Sequence, residues 1–563
     1  MTTMTQTRYT FAKALLLTSF VTLLSCNKSF LEKPPTDSIV DASFYKTDDQ
    51  VLAATALLYS QVWFDYNDKA SYNLGDFRAG TAYSAYNDRG NVLFNTTGDT
   101  PENGTAWRSF FIVVGQANLA IQNIQKYAGD GVSPDIKRMA IAEARFMRAL
   151  AYRFLVMNWG AVPIIENNLT LLADTTIQRN TPESVWRYIT NEMRAAAEDL
   201  PETPLRPGRL SKWSAEGMLA RFYLTRAGVV SGGSGSRDQT FLDSAKYYAD
   251  RVIRMSGASL LTNYAELFLY PYDNNAESLF SLQWTFAPGA WGVQNSTPAY
   301  LAYSGDIANG DGWGGDKGAT WWMISLYDGI VPTETGLAGR TLDQRLKATF
   351  MLPGAHYSEI TQSIPGGKQE LVFPFSGTDV NFLSIKKYVT GKAEDVGGQA
   401  ASQNYGHDTY MQRLAEIYLI YAEAVLGNGT STTDETAMEY FNKVHTRAGL
   451  PPREEPLTLD AILKERFIEF SMEGMAWYDL VSLHYHNPQK AYDILNAQDR
   501  ERFFTEPDQF PNPTSWKFIK TPWVDPGTRN INANSGNFLL PIPTAELNQA
   551  PNLRKPPVDY FNK

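Results

Sequence analysis

The sequence predicts a mainly α protein with long irregular loops and a few short strands. Stretches of helical period recur along the chain, each closed by glycine or proline, and Met411–Leu483 is the clearest. Two regions, 65–104 and 264–400, break that period and are rich in Gly, Asn, Asp and aromatic residues. Connections between consecutive periodic stretches are short, which favours antiparallel packing of neighbours.

The amino terminus reads as a targeting segment. Arg8 and Lys13 precede an apolar run, Ala14–Leu24, which is shorter than the ~20 residues needed to span a bilayer. It ends Leu23-Leu24-Ser25-Cys26, which resembles a lipoprotein signal. Residues 1–25 are therefore expected to be removed and Cys26 to be acylated. Cys26 is the single cysteine of the chain, so no disulfide forms within it. Residues 26–43, with Pro34 and Pro35, read as an extended tether.

Helices are expected in order over Val51–Phe64, capped by Thr47 or Asp48, then Trp107–Tyr127 and Ile136–Trp159, which stops at Gly160. Thr181–Leu200 opens with Thr-Pro-Glu, placing proline at the first helical position. Leu210–Val229 and Phe241–Ser256 follow, with a Gly/Ser loop between them. After the second irregular region come Met411–Val425, a helix ending at Gly449, and a third read as one helix from Leu459 to His484. Leu279–Trp284 alternates like a strand. Pro541 and Pro543 exclude a helix where they stand.

Charge and composition narrow the function. The 563 residues carry a formal net charge of -10, and there is no Lys/Arg block, which argues against a nucleic-acid partner. Aromatic residues are abundant, with 13 Trp, 30 Tyr and 29 Phe, offering flat apolar faces to sugar rings or peptide side chains. In the second irregular region Trp284, Trp291, Trp313, Trp321 and Trp322 crowd together. Trp291 and Trp313, flanked by glycine, are ligand-binding candidates along with Trp284 and Asn295. Trp321 and Trp322 are assigned to structure.

Catalytic chemistry is sparse. Five histidines leave few options for a triad or a metal site, and His484-x-His486 lacks a third ligand nearby. Glu465, Glu469 and Glu473 repeat every four residues beside Lys464 and Arg466, the pattern of a charged helix surface with ion pairs rather than of a glycosidase. No cofactor is expected. Calcium at Asp306, Asp311 and Asp316 is the weaker alternative, since their spacing does not match the twelve-residue loop.

Several strings resemble the SusD/RagB family. They are RLAEIYLIYAEAV, the helix ending RAGL, ILKERFIEF followed by EG and WYDL, ARFMRALAYRF with GAVP, SFYKT, and the closing PIPTAELNQAPNL. The resemblance runs from Cys26 to about Leu553 with gaps at the two aromatic regions. It departs at Ala476, where an arginine is usual, and at Val481 and Ser482, where basic residues are usual.

The resemblance implies a tetratricopeptide-like scaffold of helical pairs in one domain, 44–563. Scaffold would occupy 44–263 and 409–484, ligand-binding insertions 65–104 and 264–400, and an irregular segment 485–563. It implies a non-enzymatic lipoprotein on the cell surface, lipid-anchored in the outer membrane. Such a protein captures oligo- or polysaccharide for a SusC-like TonB-dependent transporter. Alternatives are a peptide or glycopeptide ligand, or a transporter lid without ligand affinity of its own. It also adds Asp76, Arg78 and Tyr83 of the first insertion as candidates, because that loop often contributes to the family's ligand site.

Overall fold

Thr47 begins the first helix. Its side chain accepts from the backbone N–H of Gln50 while Gln50 reaches back, a reciprocal capping box, so Thr47 rather than Asp48 is the cap. The computed structural model describes residues 44–85, 89–172, 176–364, 366–373, 383–520 and 531–562. The signal segment, Cys26 and the tether lie outside the described residues.

The principal helices are α1 (Asp48–Ala56), α2 (Pro101–Tyr127), α3 (Pro134–Trp159), α4 (Pro182–Asp199), α5 (Lys212–Val229), α6 (Gln239–Met255), α7 (Leu414–Leu426), α8 (Glu435–Arg447), α9 (Leu459–Phe470), α10 (Ala476–His486) and α11 (Pro488–Asn496). Each of α2 to α7 packs on the next in the series, α9 packs on α7, and α10 closes against α5. A chain of helices touching mainly their neighbours is the packing of helical-pair solenoids. The α3 helix is the axis of this array. From Phe146 to Trp159 every residue is buried, and its small residues Ala142, Ala144, Ala149 and Ala151 let neighbouring helices approach.

The longer strands and those that pair with them lie in and around the second irregular region. They are β1 (Ala82–Ser84), β2 (Ser278–Leu282), β3 (Lys317–Ala319), β4 (Ile330–Pro332), β5 (Gly336–Gly339), β6 (His356–Ile364), β7 (Gly367–Val372), β8 (Thr409–Arg413), β9 (Phe503–Pro507) and β10 (Trp516–Lys520). An antiparallel sheet of order β9-β10-β5-β4 and the hairpin β6-β7 flank a second hydrophobic core. That core gathers Tyr264, Phe268, Ile324, Phe350 and Phe518 with Tyr72, Phe77 and Tyr83 of the first irregular region. The insertions thus fold against each other, and β1 pairs with β3 to join them.

The structure corrects five expectations. Val51–Phe64 is not one helix, because α1 ends at Ala56 and two 3-10 turns carry the chain to Trp63. The 65–104 region is not free of helix: it winds through wide turns at Tyr66–Ala70 and Asn73–Phe77 and is largely buried. Met411–Arg413 is strand, drawn out of helix by antiparallel pairing with β2. Leu459–His484 is two helices, α9 and α10, broken where Met472 and Gly474 take φ of 63° and 71°. Finally, a short helix, Thr544–Gln549, starts right after Pro543, because a proline before the first turn costs no helical hydrogen bond.

A buried ion-pair cluster ties scaffold to insertion. Arg413 meets Glu277, Glu469 and Glu473, Arg345 meets Asp343, Glu465 and Glu469, and Arg447 meets Glu277 and Glu469. The glutamates of α9 are therefore interior, not the charged helix surface their spacing suggests. Breaking such a pair by removing one partner strands a buried charge and typically costs about 3–5 kcal/mol.

Candidate functional site

The surface stretch Pro288–Trp291 is exposed, and Trp291 at its end is 64% exposed. An indole this open is not there for packing. Its orientation comes from beneath: the Phe64 ring sits 5.3 Å from it at 69°, and Trp284 sits 6.4 Å below Phe64 at 78°. Edge-on contacts of this kind are favoured by the ring quadrupoles. Trp284 is pinned in turn, its Nε1 donating to Thr409 Oγ1 (3.0 Å) and its backbone N–H to Asp408 Oδ1 (3.0 Å). Three rings thus step from β2 to the surface.

The loop carrying Trp291 is closed on itself. The N–H of Thr285 donates to Val293 O (3.0 Å), and the Asn404 side chain bonds Ala287 through both its oxygen (3.0 Å) and its nitrogen (2.8 Å). Below the loop lies a polar floor, in which Asp273 accepts from the backbone N–H of Asp408 at 2.9 Å. Burial and the nearby Asp273 charge push the Asp408 carboxyl well above the usual carboxylate range.

Trp313, the other exposed tryptophan candidate, is 58% exposed. Its backbone N–H donates to Ala299 O (3.0 Å), and its carbonyl accepts from Lys317 Nζ (3.0 Å). The strap crosses so close to the short helix Thr297–Leu301 that a Cβ on Gly314 would lie 2.0 Å from Leu301 O. Glycine there is required by contact, and it presses the strap flat while Trp313 projects outward. Both tryptophans are borne by one continuous stretch, residues 285–317, with Thr297–Leu301 between them.

The other sequence candidates turn inward. Asn295 is fully buried: its Oδ1 accepts from Asn67 Nδ2 and from Thr297 N–H (2.9 Å each), and its Nδ2 donates to His407 O (2.7 Å). Asp76 is fully buried and accepts from the backbone N–H groups of Met472 (2.7 Å) and Gly474 (2.8 Å) and from Thr81 Oγ1 (2.9 Å). Burial raises its carboxyl to about 6, opposed by those three donors. Arg78 is sandwiched between Phe94 (4.2 Å) and Trp477 (4.7 Å) and donates to the carbonyls of Asn537 and Phe538. Tyr83 lies in β1 at 6% exposure, and Trp284 at 6% supports Trp291 from below. For Asp76, Arg78 and Asn295 the correction has one cause: a polar side chain in a loop looks available until the loop is folded under something.

Phe64 is the position that sequence reasoning missed. It falls at the end of an apolar run and looks like ordinary core, so only the tertiary contact with Trp291 reveals it. Trp321 and Trp322 are structural as expected, packing on Phe503 (5.8 Å) and Phe467 (5.4 Å).

Acid–base and metal chemistry find little support at these residues. Against the burial that raises it, the charges of Arg447, Arg413 and Arg345 pull Glu469 down to about 2, which leaves it no proton to give near neutrality. Asp316 binds Lys317 (2.8 Å), Ser84 Oγ (3.1 Å) and the Ala85 N–H (3.2 Å). Among the described residues no group of three or more His, Cys, Asp or Glu is placed to hold a metal ion. Open clefts of about 290 Å³ beside Trp213 and about 440 Å³ beside Tyr418 lie elsewhere, and neither Trp291 nor Trp313 lines them.

Comparison with known proteins places this architecture. Residues 276–558 match the model described as SusD family, and residues 30–224 match one described as starch-binding associating with outer membrane. A SusD-like protein of Bacteroides ovatus is 34% identical over 98% of this chain and 100% of its own length. A solved structure with xylogluco-oligosaccharide is 33% identical with a TM-score of 0.78, covering 91% of this chain and 100% of that one. A laminarin-binding SusD-like protein, at 23% identity and TM-score 0.63 over 90% of this chain and 98% of its own, shares the fold.

Proposed function

The chain belongs to the SusD family, and from that footing we infer that it is a non-catalytic binding protein for an oligo- or polysaccharide. Trp291 and Trp313 form its aromatic platform. The observation that carries this reading is the seating of Trp291: an indole left 64% open while Phe64 and Trp284 beneath hold its plane. Flat rings at the surface suit the apolar faces of pyranose units, which stack without needing an enclosed pocket. The relative solved with xylogluco-oligosaccharide makes a β-glucan such as xyloglucan the first ligand to try.

The protein acts at the outer membrane. Cys26 carries the acyl anchor, residues 26–43 hold the domain off the bilayer at the cell surface, and the captured glycan passes to a SusC-like TonB-dependent transporter. Among the described residues no helix is long and apolar enough to cross a membrane. Several acyl chains on one residue give the stable attachment that a single chain does not.

The test is affinity gel electrophoresis of protein lacking Met1–Cys26 against a polysaccharide panel that includes xyloglucan and laminarin. Retardation by one of them, lost when both tryptophans are replaced by alanine, is the expected result. No retardation across the panel would shift the reading to a peptide ligand or to a transporter lid.

A further inference from the structure

The cleft of about 290 Å³ beside Trp213 opens at one end of the helical array and is far larger than the ~10–15 Å³ that a water needs. Its walls are the α4–α5 loop at Pro204, Pro207 and Arg209, the start of α5, the chain after α6 at Ser256, and β2. These walls are fixed to the scaffold. Ser214 Oγ of α5 donates to Leu279 O of β2 (2.6 Å), and Arg209 Nη1 donates to Glu143 Oε2 of α3 (2.7 Å). At the rim, Pro204, Leu205 and Pro207 are all exposed.

Trp213 is the unsettled group on these walls. It is 6% exposed and lines the cleft, yet its Nε1–H has no acceptor among the described residues. An indole nitrogen can only donate, so a buried tryptophan at a cleft calls for an oxygen from whatever fills it.

The chain's own amino terminus arrives at this place. Arg209 Nη2 donates to Leu52 O (2.6 Å) and Nη1 to Thr55 Oγ1 (3.0 Å), so α1 lies along the α4–α5 loop. Arg206 stands 3.7 Å from Asp49, which turns the start of α1 toward Leu205. Residues 26–43 precede it and carry Pro34-Pro35. Pro35 is nine residues from Phe44, a reach of at most about 32 Å. A proline pair is pre-set in an extended helix whose carbonyls make no internal hydrogen bonds, and such segments dock in aromatic-lined grooves. A short connection also raises the effective concentration, so few contacts suffice. We propose that the cleft seats Lys33-Pro34-Pro35-Thr36 of the same chain, with Trp213 donating to a carbonyl of the proline pair. Cys26 then lies eight residues before Pro34, at most about 29 Å away. The tether is thus a strap that holds this end of the array toward the bilayer. This inference rests on the reading of residues 26–43 as a tether.

The experiment uses the protein lacking Met1–Cys26, which has no cysteine, so disulfides form only where cysteines are placed. Thr36→Cys is paired with Ser256→Cys on the cleft wall or with Asp135→Cys. Asp135 is open, its side chain 86% exposed, and its neighbour Ile136 packs on the Tyr45 cluster beside Phe44, where an undocked tether also reaches. Under mild oxidation the Ser256→Cys pair should close at least about tenfold faster than the Asp135→Cys pair. Adding Pro34→Ser and Pro35→Ser should bring the two rates together. Equal rates at the start, or a faster Asp135→Cys pair, overturn the proposal. If the Ser256→Cys protein fails to fold, a crystal structure of the cysteine-free protein decides: Pro34 and Pro35 beside Trp213 support the strap, and solvent, a sugar or a neighbouring copy in the cleft overturns it. Neither measurement uses the lipid or a glycan, so a negative result leaves anchorage and glycan binding to their own tests.

Discussion

The proposed platform is built around a single ring. Trp291 offers an exposed face, and the Phe64 ring beneath fixes its plane. Trp291→Ala and Trp313→Ala should each weaken glycan binding by about tenfold, ~1.4 kcal/mol, read by isothermal titration against xyloglucan oligosaccharide. Phe64→Leu keeps an apolar side chain under the platform but removes the edge-on ring. It should weaken binding about two- to tenfold, matching the ~0.5–1.5 kcal/mol of an aromatic pair, with thermal stability nearly unchanged. If Trp291→Ala leaves affinity intact, the platform lies elsewhere; if only Phe64→Leu does, Trp291 needs no support from below. Asp76 teaches the converse. It looked like a ligand contact but serves as a cap: without it, Met472 and Gly474 would present buried N–H groups to nothing. Asp76→Ala should lower the urea midpoint by an amount equivalent to about 3–5 kcal/mol, while Asp76→Asn, which keeps one acceptor, should cost roughly half as much.

At the level of elements, the break between α9 and α10 joins scaffold to insertion. Gly75 of the first insertion approaches so closely that a Cβ there would lie 2.3 Å from Gly474 C, and Asp76 beside it caps the break. The same elements set the response to pH. Burial lowers His484 and His486, at the end of α10, to about 4, so both are neutral in the folded protein. The unfolded chain takes up their protons first, so this stability is full above pH ~6.5 and is lost as pH falls toward 4. Glu469 is held down at about 2, and its share is present above the unfolded value of 4.5 and lost as pH falls toward 2. Asp76 works in the opposite sense: raised to about 6, it favours the fold at low pH and loses that share as pH rises from 3.8 through 6. Thermal midpoints measured from pH 7 to pH 2.5 should therefore fall in two stages, with Asp76 softening the first. His484→Phe should flatten the upper stage and leave the lower one.

For the whole molecule, the arrangement is a helical array carrying two insertions that share their own core, with the proposed recognition surface on the second of them. The proposed anchorage through Cys26 is tested at this scale as well. Cys26→Ser should move the protein from the membrane fraction to the soluble fraction without changing its affinity for glycan, as read by fractionation and by gel retardation of the released protein. Loss of binding together with loss of anchorage would mean that the amino terminus takes part in the site.

What the sequence determined by itself is what short-range physics governs. Helix order and approximate ends follow from apolar period, from caps such as Thr47 and Thr181, and from stops such as Gly160 and Gly427, all acting within a few residues. The exposed tryptophans were also legible, because glycine on both sides of Trp313 marks a ring carried on a strap rather than packed in a helix. The tertiary structure decided the rest. Asp76 finds its partners 396 and 398 residues away, and Asn295 meets Asn67 across 228. No local pattern announces such pairings. Whether a polar side chain faces a sugar or a backbone N–H depends on which distant segment folds over it, and that is settled only when the insertions close on the scaffold.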